Sequence, residues 1–328
     1  MNILICFGTR PEWLKVKPLV DVLDNYKLFF TGQHEDLLRD VEVDYRVEIQ
    51  ENTNRLDQVV SDCLLQFPDG DFDAVLVQGD TASAFACALA AFHRHKKIYY
   101  LEAGLRTYDL QHPYPEEGYR QMIARLSDVN LCPTSISEKN LKRERVNGEC
   151  YVVGNTVLDN LLPYKDKTEY TNTVLVTLHR RENQPVMHQW FRQVNLLAKE
   201  NSDLEFILPL HPNPEVQKHK HLLKHVNVIE PLSHSKLLDV LAKCKLVISD
   251  SGGIQEEGSF LNKKVIVCRK STERPEAKVS GHLVMCRDPD NLSGVFYDLK
   301  NNFEVNNPCP YGDGRSSQKV KEILNEKC

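Results

Sequence analysis

Leu246-Val247-Ile248-Ser249-Asp250-Ser251-Gly252-Gly253-Ile254-Gln255-Glu256-Glu257 decides the fold class. A short unbroken apolar run stops in polar residues and a glycine pair, and helix-forming residues take over, as at a strand-to-helix turn of a parallel α/β sheet. Such sheets bind ligands outside the carboxyl ends of their strands. The pattern recurs at Phe7-Gly8-Thr9-Arg10, Gln78-Gly79-Asp80, Glu102-Ala103-Gly104, Leu178-His179-Arg180 and Leu210-His211. The polar ends of these runs outline a site.

To either side of this stretch the apolar runs predict strands at 2–7, 27–31, 74–78, 98–102, 129–132 and 151–153, then at 173–178, 204–210, 226–229, 246–249, 264–268 and 283–286. Between them Leu56, Val59, Val60, Cys63, Leu64 and Phe67 recur at three- and four-residue steps, which predicts an amphipathic helix. Around 161–172 proline and polar residues interrupt the periodicity, and a domain boundary is expected there, separating 1–164 from 165–314. The expected architecture is two doubly wound Rossmann-like α/β domains facing a central cleft.

The chain has 328 residues, 41% of them hydrophobic, and a formal charge of -5. That balance gives no general attraction to nucleic acid or membrane, so neither is expected as a partner, and any phosphate site has to be local. Ten cysteines are dispersed from Cys6 to Cys328 with no CxxC pair, the pattern of reduced, mostly buried thiols in a cytoplasmic protein. The opening Met1-Asn2-Ile3-Leu4-Ile5-Cys6-Phe7 lacks a basic leader and reads as a first strand. Nowhere does an apolar stretch approach the roughly 18 residues of a membrane span.

Two glycine turns suit an anion. Gly8-Thr9-Arg10-Pro11-Glu12 places Pro11 in a first helical turn, and the helix amino end and Arg10 attract negative charge, with Lys15 one turn on. Gly252 and Gly253 expose backbone N–H groups to a phosphate, Ser251 adds a hydroxyl, and the Glu257 carboxylate can accept ribose hydroxyls. Neither turn is a GxGxxG or a Walker sequence, so NAD and ATP are weakly supported. Both also read as plain glycine-assisted helix starts.

Asp80, Glu102, His179 and His211 end strands, and Glu116-Glu117 follow Pro113-Tyr114-Pro115. Two carboxylates, or a carboxylate and an imidazole, can remove one proton and assist a leaving oxygen. Singly each is more often structural; their shared placement at strand ends points to chemistry. His219, His221 and His225 fall in a lysine-rich segment read as an exposed helix, and no acidic or cysteine partner accompanies them, so no metal site is expected.

In this order GTRPE, QGDT, LEAGLRT, PYPEE, GNTVLDNL, LHRREN, HPNP, DSGGIQEE and ERPEA resemble the non-hydrolysing UDP-N-acetylglucosamine 2-epimerases. The resemblance spans nearly the whole chain, to Asn307-Pro308-Cys309-Pro310-Tyr311-Gly312-Asp313-Gly314, which is similar to the family's NPYGDG. It implies a glycosyltransferase type B-like fold with UDP held by the second domain, and a last helix at about 315–328 that rejoins the first. The implied reaction is reversible 2-epimerisation of UDP-N-acetylglucosamine to UDP-N-acetylmannosamine through elimination of UDP, a 2-acetamidoglucal and re-addition. No cofactor is implied, and the implied assembly is a homodimer.

Carried onto this sequence, the resemblance assigns catalysis to Asp80, Glu102, Glu116 and His179. It assigns substrate binding to Arg10, Lys15, His211, Ser251, Gly252, Gly253, Glu257 and Arg274, and leaves open which carboxylate takes the C2 proton. Gln33 and His211 match a regulatory UDP-N-acetylglucosamine site of bacterial relatives. Departures are Gln78, where many members have histidine, Asp36, where bacterial enzymes often have glutamine, and a shorter stretch after Leu38. Alternatives are a 2-epimerase of a UDP-2-acetamido-2,6-dideoxyhexose, a UDP-sugar glycosyltransferase, or a non-catalytic sugar-nucleotide binding protein.

Overall fold

Apolar residues run without interruption through most strands of the chain, because helices cover both faces of each parallel sheet. The computed structural model describes residues 1–33, 41–50, 54–272 and 274–327. The chain divides into unit 1, Met1–Asn160 with Gly312–Cys328, and unit 2, Leu161–Tyr311, a division a few residues before each expected boundary.

Unit 1 runs β1 (Ile3–Phe7), α1 (Arg10–Val20), β2 (Tyr26–Phe30), β3 (Tyr45–Arg46), α2 (Arg55–Leu65), β4 (Ala74–Gln78), α3 (Ala82–His93), β5 (Lys97–Leu101), α4 (Glu116–Leu126), β6 (Val129–Cys132), α5 (Ser135–Glu144) and β7 (Glu149–Val152). Its sheet has the order β3-β2-β1-β4-β5-β6-β7. Alternation sorts the core: Leu4, Cys6, Val75, Val77 and Tyr100 fall in one cluster with residues of α2 and α3. Ile3, Ile5, Phe7, Leu76 and Tyr99 fall in another, with Val16 and Leu19 of α1. Ile5 is paired with Leu28 and Leu76, and Gln78 with Leu101, so β1, β4 and β5 end side by side.

Unit 2 begins with the turn α6 (Leu162–Lys165) and continues β8 (Thr173–Thr177), α7 (Met187–Glu200), β9 (Glu205–Pro209), α8 (Pro214–Gln217), β10 (Asn227–Ile229), α9 (His234–Lys243), β11 (Leu246–Ser249), α10 (Gly252–Phe260), β12 (Val265–Val267), α11 (Pro275–Val279), β13 (Leu283–Met285) and α12 (Leu292–Lys300). Its sheet has the order β10-β9-β8-β11-β12-β13, over a core including Val176, Trp190, Phe191, Phe206, Ile248 and Phe296. The chain then returns to unit 1 as α13 (Ser316–Glu326). Asp159 accepts hydrogen bonds from the Ser316 and Ser317 N–H groups at 3.0 and 2.7 Å, and Val320 and Leu324 join the core beside α1.

Helix starts follow side chains that accept the first free N–H groups: Thr9 for α1, Asn54 for α2, Thr81 for α3, Thr134 for α5 and Ser233 for α9. Each such cap contributes about 1 kcal/mol. Nine cysteines among the described residues are free, seven of them buried.

Two expectations need correcting. β3 was not anticipated: a two-residue strand carries no periodicity, and it exists because it pairs with the end of β2, where Arg46 also lies over the Phe30 ring at 4.6 Å. The segment holding His219, His221 and His225 is not one helix. Only Lys220–Leu222 makes a tight turn, because Leu223 and Val226 are drawn into the unit 2 core and break the helical course. The i,i+4 spacing of His221 and His225 therefore has no helical meaning.

Candidate active site

In unit 1 the ends of β4 and β5 put Asp80 and Glu102 on neighbouring strands. The Glu102 carboxylate accepts hydrogen bonds from Lys15 Nζ and Gln78 Nε2, and from Asn155 Nδ2 at 3.4 Å. Glu102 is buried and has φ of 65°, a left-handed conformation that costs a non-glycine residue about 1–3 kcal/mol and is found at functional sites. Lys15 thus neutralises a carboxylate of its own unit, where the sequence suggested a second charge for a phosphate.

Asp80 Oδ2 is held by Arg120, at 2.8 Å from Nε and 2.6 Å from Nη2. Arg120 also reaches Glu117 at 3.4 Å, and the fully buried Glu117 accepts from the Thr107 and Tyr108 N–H groups at 3.0 and 3.1 Å. Glu117 is therefore committed to holding the loop before α4. The neighbouring Glu116 keeps a buried Oε2 with no hydrogen-bond partner among the described residues.

The start of α1 departs from the expected anion site. Glu12 Oε2 accepts from the Gly8 and Thr9 N–H groups at 2.8 and 2.7 Å, and Oε1 accepts from Thr81 Oγ1 at 2.5 Å. The helix amino end is filled by its own carboxylate, so attraction for an outside anion rests on the exposed side chain of Arg10. Burial raises the Glu12 pKa above its ordinary 4.5, against the pull of these hydrogen bonds. Gly8 is obligatory, since a Cβ there would overlap Thr31 Oγ1 and Ser83 Oγ.

In unit 2 the start of α10 is open. Ser251 makes no side-chain cap, so the first N–H groups keep their donor capacity. A Cβ at Gly252 would lie 2.8 Å from Arg274 Nη1 and 3.3 Å from Arg180 Nη2, so two guanidinium groups crowd this helix start. Arg274 is steadied by Glu256 at 2.6 Å. The backbone at His179 and Arg180 is held by buried Asp250, which accepts from the N–H groups of Arg180 at 2.9 Å and His179 at 3.0 Å, and from Asn183 Nδ2 at 2.9 Å. Cationic side chains and a helix amino end together suit an anion.

Beside it lies a pocket with about 540 Å³ of empty volume, lined by Thr177, His179, Pro209, His211, Pro212, Pro231, Leu232, Leu237, Ser251 and Ile254. His179 stacks on His211 with centroids 5.0 Å apart. Burial lowers the His179 pKa below 6.5; Asp250 opposes the shift, and His211 and Arg180 add to it.

A sequence model of the family described as UDP-N-acetylglucosamine 2-epimerase matches residues 23–325. The chain is 36% identical to the UDP-N-acetylglucosamine 2-epimerase of Campylobacter jejuni, over 98% of this chain and 97% of that one. The chain belongs to the UDP-N-acetylglucosamine 2-epimerase family. By that membership it is an isomerase. It is 34% identical to the Bacillus subtilis relative over 99% of this chain and 95% of that one. The crystal structure of the Neisseria meningitidis UDP-GlcNAc 2-epimerase bound to UDP-GlcNAc superposes with a TM-score of 0.89 at 32% identity, covering 99% and 100% of the two chains. The fold is of the two-domain glycosyltransferase type B-like class.

Of the residues read from sequence, unit 1 groups Lys15, Asp80 and Glu102, and unit 2 groups His179, His211, Ser251, Gly252, Gly253 and Arg274. Glu257 is buried on α10, where His234 Nε2 meets it at 2.8 Å. Gln33 Oε1 accepts from Ser83 N and Oγ at 3.2 and 2.7 Å; the rest of that stretch, including Asp36 and Leu38, lies outside the described residues. Among the described residues no His, Cys, Asp and Glu side chains are grouped to hold a metal ion, and no helix is long and apolar enough to cross a membrane.

Arg120, Asn155 and His234 were not singled out from sequence, and Arg180 and Asp250 stood in the quoted strand ends without a role of their own. Arg120 had a local signal, since it lies i+3 from Glu117 on α4. His234 had none.

Proposed function

We propose that this chain interconverts UDP-N-acetylglucosamine and UDP-N-acetylmannosamine without net hydrolysis. In this reading the α10 start with Arg180 and Arg274 holds the pyrophosphate, Glu257 accepts the ribose hydroxyls, and the neighbouring pocket takes the base. A carboxylate takes the C2 proton while the bond from C1 to UDP breaks, giving 2-acetamidoglucal and UDP. Return of a proton to the other face of C2, with re-addition of UDP at C1, completes the epimerisation. The departing diphosphate gains charge, so guanidinium groups and the helix end stabilise it more as the bond breaks. The steps as written call on neither NAD nor a metal.

One observation carries the reading: Asp80 and Glu102 end adjacent strands, each carboxylate with its own cationic partner, Arg120 and Lys15. Two neighbouring carboxylates can take and return a proton; a protein that only binds a sugar nucleotide has no use for them. The substrate assignment is supported by the relatives' names and by the UDP-GlcNAc in the Neisseria meningitidis structure. With it go a homodimer and a cytoplasmic location, to be checked by solution mass and cell fractionation.

Incubation with UDP-N-acetylglucosamine in heavy water, followed by NMR, should yield the manno product with deuterium at C2. An epimer carrying only protium at C2 would exclude this route. Product from a 6-deoxy substrate alone would move the assignment to that sugar.

A further inference from the structure

Helix α10 sends three consecutive polar side chains into the interior, and each meets a partner from another segment. Gln255 Oε1 accepts from Thr272 Oγ1 at 2.8 Å, Glu256 pairs with Arg274 at 2.6 Å, and Glu257 Oε1 lies 2.8 Å from His234 Nε2. The first two partners follow β12 and brace the helix start. His234 is different: it opens α9, directly after the capping Ser233.

The pair stands beside the unit 2 pocket. Glu257 lies i+3 from Ile254, and His234 lies i+3 from Leu237, so each shares a helix face with a residue of the pocket wall. A carboxylate has two oxygens and about four lone pairs. One oxygen is fixed by the imidazole, while Glu257 Oε2 accepts no hydrogen bond from the described residues. A carboxylate so held presents its second oxygen as a fixed acceptor, the group that nucleotide sites use for the ribose 2′-hydroxyl.

We propose that His234 is a positioning residue for sugar selection: by holding Glu257 it lets this site prefer a ribonucleoside diphosphate over its 2′-deoxy counterpart. The inference rests on the reading that unit 2 holds UDP. A site built to bond a hydroxyl rejects the analogue lacking it, because the buried acceptor is then left unmatched.

Isothermal titration of the full chain with UDP and with 2′-deoxy-UDP tests this. Wild-type protein should favour UDP by about 10- to 100-fold, the usual worth of a hydrogen bond to a charged group. His234→Phe should bring UDP down to the affinity of 2′-deoxy-UDP and leave the latter within about twofold, whereas His234→Gln, whose amide can donate to Glu257, should keep most of the preference. Equal weakening of both ligands in His234→Phe, or a preference that survives it, would overturn the inference and leave the UDP reading intact. Loss of preference in a folded His234→Gln protein would also overturn it, since the donor would then not be what matters. Wild-type protein that binds neither nucleotide would defeat the UDP reading itself.

Discussion

Unit 1 and unit 2 wind their sheets alike, β3-β2-β1-β4-β5-β6 with β7 added at the edge in one and β10-β9-β8-β11-β12-β13 in the other, yet two of their helix starts are filled differently. At α1 the amino end is occupied by Glu12 from the same helix, which also ties in Thr81 at the start of α3. At α10 the Ser251 side chain makes no cap, and Arg180 and Arg274 gather over Gly252. One field, that of exposed N–H groups, is satisfied internally in the first case and left for a ligand in the second. The first arrangement fixes a loop beside Asp80, for which an acid–base role is proposed; the second suits a diphosphate.

The comparison is sharpened most by separating turnover from binding. Asp80→Asn or Glu102→Gln should lower kcat by about 10² to 10⁴, the worth of an acid–base group, while UDP affinity measured by calorimetry stays unchanged. Turnover within a factor of two of wild type would remove that residue from the chemistry.

The two glycines should fail in different ways. Gly8→Ala drives a methyl group into Thr31 and Ser83, and overpacking of this kind costs about 1–3 kcal/mol, seen as a lowered melting temperature. Gly252→Ala meets the far end of the Arg274 side chain at 2.8 Å and no backbone atom, so the fold should hold while UDP affinity drops by about tenfold, equivalent to 1.4 kcal/mol. The reverse outcome, lost binding at Gly8 and lost stability at Gly252, would break the distinction between the two helix starts.

Acid should affect the units in opposite directions. Glu12 has a raised pKa, so its contribution is present below 4.5 and fades as pH rises through the folded value. Buried His282, with Lys264 nearby, is depressed from 6.5 to about 4, so its contribution is present above 6.5 and is lost as pH falls toward 4. Melting curves between pH 4 and 7 should show the gap between wild type and Glu12→Gln widening toward acid, and that between wild type and His282→Gln narrowing. Parallel slopes would refute the assignment.

The smallest effect expected is at His179. Its imidazole should stay neutral to a pH below 6.5, and removing the opposing charge in Asp250→Asn should move its NMR titration lower still. A midpoint moving upward would contradict the part given to Asp250.

Most of the strand frame was legible, because helices on both sheet faces leave continuous apolar runs in the sequence. The candidate site was legible as a set of strand ends: Asp80, Glu102, His179 and the Ser251-Gly252-Gly253 turn all stand where ligands meet such sheets. What escaped was pairing. Lys15 and Arg10 looked alike in the sequence, yet Lys15 bonds Glu102 and Arg10 is exposed. Glu116 and Glu117 are adjacent and chemically identical, yet Glu117 holds a loop and Glu116 retains an oxygen with no partner among the described residues.

By itself the sequence determined the parallel winding, the two-part division and the polar residues at strand ends, because periodicity and glycine turns are local properties of the chain. Tertiary structure alone decided which charges neutralise one another and which helix start stays open. Glu12 with Thr81, Asp80 with Arg120, and Glu257 with His234 are joined across 69, 40 and 23 positions of sequence. Hydrogen bonds at such separations are set by sheet register and helix packing, which no local pattern encodes.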